Sequence, residues 1–457
     1  MLNNLFLNKF SFLILLIPAF LITGPFLPDL ILSISAIIFV SITVINKNYK
    51  VYNNLFVKFF FIFWLYLIFS SFMSIDIFPS LKSSFFYFRF GLLVLMLNFL
   101  IQNNKHFESR MIKVCFFSIM AVVVSCLFEF TLIRYNFIKQ LYNIYIITDS
   151  SNFMVQSNAL INTINNRISG IFGTEGIAGS YILRLLPFFF IYSLSIFKKK
   201  YNTKNIITYN LFFLLIIFIV LNTGERASFV LLVFSIILHF LIIKKIRNIF
   251  KYSLIASVFI LLISLNYDPI LKGRIIHQTK YQLQYFDDNS KISDKKTKIK
   301  EDRFFIISEM HEGHLYAAWK IFLDNKIIGS GMKGFRNECY NSQELQSNKK
   351  VYCTTHPHNI LLQFLSETGI IGTLFYLFIL VVLMIEIFKK IFFSIYKNKS
   401  TNHRDDIKNC ILICILINLW PLATSGNFFN NWLSIIYYFP IILYLKDHRI
   451  LNNEKNL

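Results

Sequence analysis

The residues whose types invite chemistry are four histidines and a few arginines at the edges of long apolar runs. His311 and His314 are spaced HxxH, and His356 and His358 are spaced HxH. Either spacing can present a pair of metal ligands, but no carboxylate or cysteine arrangement completes a recognisable set, so no metal site is expected. A histidine that stays neutral can instead take a proton as a general base. His358 has the most suggestive setting, in the stretch HPHNILLQFLSETGIIG over residues 356–372. Pro357 suits the first turn of a helix, where its missing N–H would be unpaired anyway. His358 is then expected inside that first turn, where the helix dipole disfavours imidazolium. Asn359, Gln363 and Glu367 recur every fourth residue as a polar stripe, and Ile360, Leu361, Phe364 and Leu365 cover the rest. Spacing alone leaves open a purely structural or solvated histidine.

Arginines supply the complementary chemistry. Thr223-Gly224-Glu225-Arg226 interrupts an apolar run too long for one membrane span, so the run is read as a hairpin turning there. Arg226 would open the second helix, where free N–H groups and the dipole also favour an anion. A guanidinium there can grip a lipid diphosphate in fork geometry, or it can snorkel to headgroups. Arg167, in Arg167-Ile-Ser-Gly170-Ile-Phe172, has the same two readings, and glycines at 170, 173, 176 and 179 suggest tight turns. Gly329-Ser-Gly331-Met-Lys-Gly334 fits G-x-G-x-x-G but lacks a βαβ setting, so it is read as a glycine turn after an amphipathic helix.

The elements that must hold these residues are membrane helices. The 457 residues are 55% hydrophobic and include 53 Phe, with mean hydropathy +0.56. Long apolar runs recur, which predicts an all-α integral membrane protein. Twelve spans are expected, near 10–23, 28–45, 55–74, 82–102, 111–131, 178–197, 205–222, 226–243, 248–266, 369–387, 408–425 and 428–446. The first run lacks a signal-peptide cleavage site and is read as a retained span. The net charge of +22 does not signal nucleic acid, because the basic residues cluster in alternate short turns. Lys47 and Lys50; Lys105, Arg110 and Lys113; Lys198, Lys199 and Lys200; Lys244, Lys245 and Arg247; and Lys389, Lys390, Lys397, Lys399 and Arg404 mark those turns. That pattern puts both termini in the cytoplasm and residues 132–177 and 267–368 on the far side. The chain divides into 1–266, a large loop at 267–368, and 369–457.

The large loop is too long for a connector. Its first third, NSKISDKKTKIKED, reads as solvated, and GHLYAAWKIFLD reads as an amphipathic helix. Cys339 and Cys353 lie in this loop, and a disulfide between them is expected in an oxidising compartment; two free thiols are the alternative. Cys115, Cys126, Cys410 and Cys414 lie in apolar runs as packing residues.

With these residues placed, the chain resembles the O-antigen ligase family, within the larger superfamily of membrane ligases and polymerases of bacterial surface polysaccharides. The pattern His-Asn, nine residues, Gly-x-x-Gly is carried by His358, Asn359, Gly369 and Gly372. Arg226-Ala227, Arg167-x-x-Gly170-x-Phe172, and Trp319 to Phe335 with Gly329 and Gly331 match further segments. The resemblance implies a twelve-span inverting glycosyltransferase of the bacterial inner membrane, using neither metal nor nucleotide and no cofactor. Its donor would be a polysaccharide on undecaprenyl diphosphate and its acceptor a lipid A–core sugar, with transfer in the periplasm. His358 would activate the acceptor hydroxyl and Arg226 would bind the diphosphate. One departure stands out: where relatives carry an arginine before the loop tryptophan, this chain has Leu315, beside His314. Arg303 or His314 would substitute as the further cationic contact. A polymerase or a protein-glycosylating ligase would share these motifs and differ in acceptor. A transporter would instead place its charges near the bilayer midplane.

Overall fold

The structure is a computed structural model, and it describes residues 4–146, 167–267, 269–277, 309–348, 351–396 and 402–446. Among the described residues the chain is all helix, with no strand. The main helices are α1 (Asn4–Leu15), α2 (Phe26–Ile45), α3 (Leu55–Ser71), α4 (Ile77–Phe85), α5 (Phe88–Asn103), α6 (Phe107–Ile146), α7 (Ala178–Lys199), α8 (Thr203–Asn222), α9 (Arg226–Ile242), α10 (Lys244–Tyr267), α11 (Glu309–Asp324), α12 (Gly334–Asn341), α13 (Ile360–Tyr396), α14 (His403–Asn418) and α15 (Asn431–Leu445). Among the described residues, seven helical stretches are long and apolar enough to cross a membrane, and four shorter apolar helices accompany them. The chain is a polytopic membrane protein.

Local sequence explains many of the boundaries. Asn54, Asn202, Asn402 and Asn430 each stand just before a helix and accept a backbone N–H from its first turn. Lys198 and Lys199 sit in the last turn of α7, where cations meet the carbonyl end of the dipole. α7 is the most enclosed of the long helices, surrounded by α6, α8, α9 and α14. Its Phe188, Phe189 and Phe190 are fully buried. α10 faces outward along most of its length, as a helix bathed in lipid can.

The large loop has its own small core. Ala317, Ala318, Ile321, Phe335, Cys339 and Leu345 pack together, with Leu362 of α13 against them. Cys339 and Cys353 are joined in a disulfide, with Cα atoms 5.6 Å apart. The predicted amphipathic segment lies within α11.

The span expected at 111–131 lies within a candidate span over Phe107–Ile133, and α6 continues as helix to Ile146. Two expectations need correction. The span expected at 408–425 ends as helix at Asn418, and residues 419–430 turn back across the bundle end. His358 is not inside a helix. Its φ is 55°, and α13 begins at Ile360 with Asn359 capping it: Asn359 Oδ1 accepts from Leu362 N at 3.0 Å. Pro357 therefore precedes the helix rather than opening it.

Candidate functional site

Three segments build the site: the hairpin between α8 and α9, the approach to α7, and the approach to α13. The hairpin turns on Thr223, Gly224 (φ 70°) and Glu225, and Arg226 is the first residue of α9. Glu225 locks it in place. Its carboxylate accepts from Gly179 N at 2.6 Å and Ser180 N at 3.0 Å, two orphan donors in the first turn of α7, and from Ser228 Oγ at 2.8 Å. Gly179 permits this approach, since a Cβ there would lie 2.7 Å from Thr223 Oγ1. A second carboxylate works alike: Glu129 on α6 accepts from Ser169 N at 2.8 Å and from Gly170 N, anchoring the Arg167 segment. Arg167 lies over Gly176, within electrostatic reach of both Glu225 and Arg226.

His358 approaches from the other side. Its carbonyl accepts from Ser425 N at 2.9 Å, and Asn359 Nδ2 donates to the Pro421 carbonyl at 2.7 Å. The 419–430 turn thus holds His358 in a left-handed conformation that costs a non-glycine residue on the order of 1–3 kcal/mol. The polar stripe is occupied as a buried network. Gln363 Nε2 donates to Glu367 Oε2 at 3.0 Å and to Asn427 Oδ1 at 2.8 Å, and Gln363 Oε1 accepts from Phe428 N at 2.9 Å.

All four histidines come together. The His358 ring centroid lies 4.1 Å from that of His356, 5.2 Å from His314 and 5.8 Å from His311. His311 is in turn within electrostatic reach of Arg226. The structure therefore gathers His358, His314, Arg226 and Arg167 at one end of the bundle, joined by His311 and His356, which spacing marked only as possible metal ligands. Arg303 lies outside the described residues. Among the described residues no three His, Cys, Asp or Glu side chains are arranged to hold a metal ion.

The environment keeps the rings of His311, His356 and His358 neutral. Burial, then the neighbouring His314 and His311, pushes His358 down to about 4. Burial and His358 push His356 down to about 3, and burial, His314 and Arg226 lower His311. Burial thus replaces the helix dipole as the main reason for neutrality. His314 Nδ1 lies 2.7 Å from the Tyr352 carbonyl. A carbonyl can only accept, so Nδ1 carries a hydrogen. Tyr352 is the neighbour of Cys353, so the disulfide steadies the segment that receives this bond.

The last element is a clasp behind the histidines. α13 is kinked at Gly369 (φ 60°, ψ −166°). The loop after α11 fills the break: Ile370 N donates to Lys326 O at 2.8 Å, and Ser330 N donates to Ser366 O at 2.9 Å. Tyr66 of α3 donates to the carbonyls of Ile328 and Thr368. Gly372 lies where a Cβ would strike Thr368 and stand 3.0 Å from Tyr66. Glu225, Glu129 and the 419–430 turn carried no local signal of these roles, because each acts across the fold.

No curated protein matches the chain. A family model described as O-antigen ligase matches residues 211–377, a stretch running from α8 through Arg226 and His358 to the Gly369 clasp. Residues 211–377, rather more than a third of the chain, are thus similar to the O-antigen ligase domain.

Proposed function

We propose that the protein is an O-antigen ligase, moving a polysaccharide from undecaprenyl diphosphate to a sugar hydroxyl of lipid A–core. The observation that carries this reading is the convergence of a neutral, half-buried His358 with Arg226, both inside the stretch that the family model matches, and with Arg167 beside them. In the reaction, the acceptor oxygen attacks the anomeric carbon as the bond to the diphosphate oxygen breaks, inverting the centre. His358 takes the hydroxyl proton. Arg226 and Arg167 stabilise the charge that develops on the departing undecaprenyl diphosphate. His314 is the further contact this reading retains. The docked diphosphate also favours the imidazolium form of His358, raising its basicity when the proton must move.

The clusters of lysine at alternate turns support an inner-membrane protein with both termini cytoplasmic and the site on the periplasmic side. On this reading the twelve expected stretches are all spans, the shorter helices crossing with help from their neighbours. The reading assigns no metal.

The test is lipopolysaccharide from cells carrying His358→Ala or Arg226→Ala. Bare core, with long polymer still on the lipid carrier, is the expected result. Core bearing single repeat units would instead indicate a polymerase, normal core with under-glycosylated protein a protein ligase, and normal ligation would remove the assigned role. Purified enzyme should transfer equally well in chelator.

A further inference from the structure

Apart from Arg226 and Arg167, a second basic surface lies within electrostatic reach of the histidine cluster. Gly331 (φ 83°) lets the turn before α12 lie directly against the hairpin between α3 and α4: a Cβ there would lie 2.8 Å from Ser74 and 2.9 Å from Ser80 Oγ. This contact brings Lys333 and Arg336 beside Lys82 of α4, and Lys333 is within electrostatic reach of Lys82, Arg89 and Arg336. Lys82, Lys333 and Arg336 are all exposed, and among the described residues none of the three makes an ion pair. The acid that acts on Lys333 and the one that acts on Arg89 are otherwise engaged. Asp29 pairs with Arg89 at 2.9 Å, and Glu367 is fully buried, bonded to Gln363, with Lys333 in its field.

Two further features say what covers this surface. Ile77, Phe78, Phe85 and Phe86 flank Lys82 and are exposed, so cations and an apolar rim stand side by side, as an amphiphile requires. Arg336 is also within electrostatic reach of His356, whose ring touches that of His358. The surface therefore leads to the base. α13, which follows His358, packs against both α3, whose hairpin carries this patch, and α9, which opens with Arg226. Two anionic lipids repel each other, and two cationic patches flanking one base suit the transfer between them.

We propose that Lys82, Lys333 and Arg336 dock the phosphate groups of the membrane-anchored glycolipid acceptor, presenting its sugar hydroxyl to His358. The inference rests on the transferase reading above. Lysine serves as a point charge for phosphate and arginine as a fork, while the exposed phenylalanines take the acyl chains.

The probe is rough lipopolysaccharide (lipid A–core) in phosphatidylcholine nanodiscs, bound to His358→Ala protein so that no turnover intervenes. K82Q/K333Q/R336Q in that background should weaken binding about tenfold or more. Phosphatase-treated lipid A–core should bind as weakly to the unsubstituted surface and be indifferent to the three changes. In otherwise wild-type enzyme the triple variant should raise the KM for acceptor and leave the KM for donor unchanged, which also reports an intact fold. Unchanged binding in the triple variant overturns the proposal. So does an effect reproduced by phosphatidylglycerol alone, which would make the patch a general membrane anchor. Phosphate-dependent binding without transfer by the wild-type enzyme would uphold the surface and sink the transferase reading.

Discussion

Gly329 and Gly369 meet backbone to backbone: a Cβ on Gly329 would lie 2.4 Å from the nitrogen of Gly369. Both have positive φ, 83° and 60°. The contact joins the large loop to the break in α13, so the helix that follows His358 is aimed by a loop some forty positions earlier in the chain. Gly329→Ala combines left-handed strain of about 1–2 kcal/mol with overlap against backbone, which has no rotamer to relieve it. Gly173 supplies the comparison, with φ 62° and open space around it, so Gly173→Ala meets the strain alone. Thermal unfolding in detergent should show a much larger loss for Gly329→Ala. Equal losses would mean that the clasp relaxes freely.

Glu225 gives a second prediction. Its carboxylate fills two donors of α7 and holds the turn that carries Arg226. Glu225→Ala removes a buried cap and should cost about 2 kcal/mol, with transfer falling along with stability. Glu225→Gln keeps one acceptor oxygen and should be milder. Thermal unfolding of both, with transfer assayed below the lower midpoint, checks the order; an Ala variant as stable as the Gln variant would contradict it.

The disulfide gives a third. Cys339 and Cys353 are separated by 14 positions. Closing a loop of that size contributes about 3 kcal/mol where the loop is otherwise free. Cys353→Ser should lower the unfolding midpoint, and reductant should lower it equally in the wild-type protein and no further in the variant. The Tyr352 carbonyl that accepts from the His314 ring is one residue away. Transfer should therefore fall more steeply than stability alone requires.

Much of this was legible in the chain. The hairpin at Thr223–Glu225 follows from an apolar run too long for one span, and the polar stripe of Asn359, Gln363 and Glu367 was legible from its spacing, though not the buried bonds that Gln363 makes to Glu367 and Asn427. The conformation of His358 was not legible. Pro357 locally favours a helix start, yet Ser425 and Pro421, more than sixty positions away, hold the segment out of the helix. The same distance hid Glu225 and Glu129, whose partners are backbone amides of other elements and carry no side-chain signature. The break of α13 at Gly369 was equally hidden: a glycine opening an apolar run reads as the start of a span, and only the loop packed against it makes it a kink.

The final prediction concerns pH, where the structure and the sequence give different answers. An ordinary histidine with a pKa near 6.5 would lose base activity as pH falls through that value. Burial and the neighbouring rings push His358 down to about 4. Its neutral form then persists through pH 5, and kcat/KM for transfer, which reports the free enzyme, should hold from neutrality to near that point before failing. The limb of kcat should lie higher, because a bound diphosphate favours imidazolium. After burial, His314 contributes most to this lowering. His314→Gln should therefore move the acid limb of kcat/KM upward, but not all the way to 6.5, since burial remains. Stability follows the same sign. The unfolded chain binds protons at His356 and His358 below about pH 6.5, while the folded chain does not bind them until about 3 and 4. Acid therefore favours unfolding across that window, and the stability present above it is lost progressively as pH falls. An acid limb of kcat/KM at 6.5 in the wild-type enzyme, unmoved by His314→Gln, would mean that the proton is taken by a group other than His358.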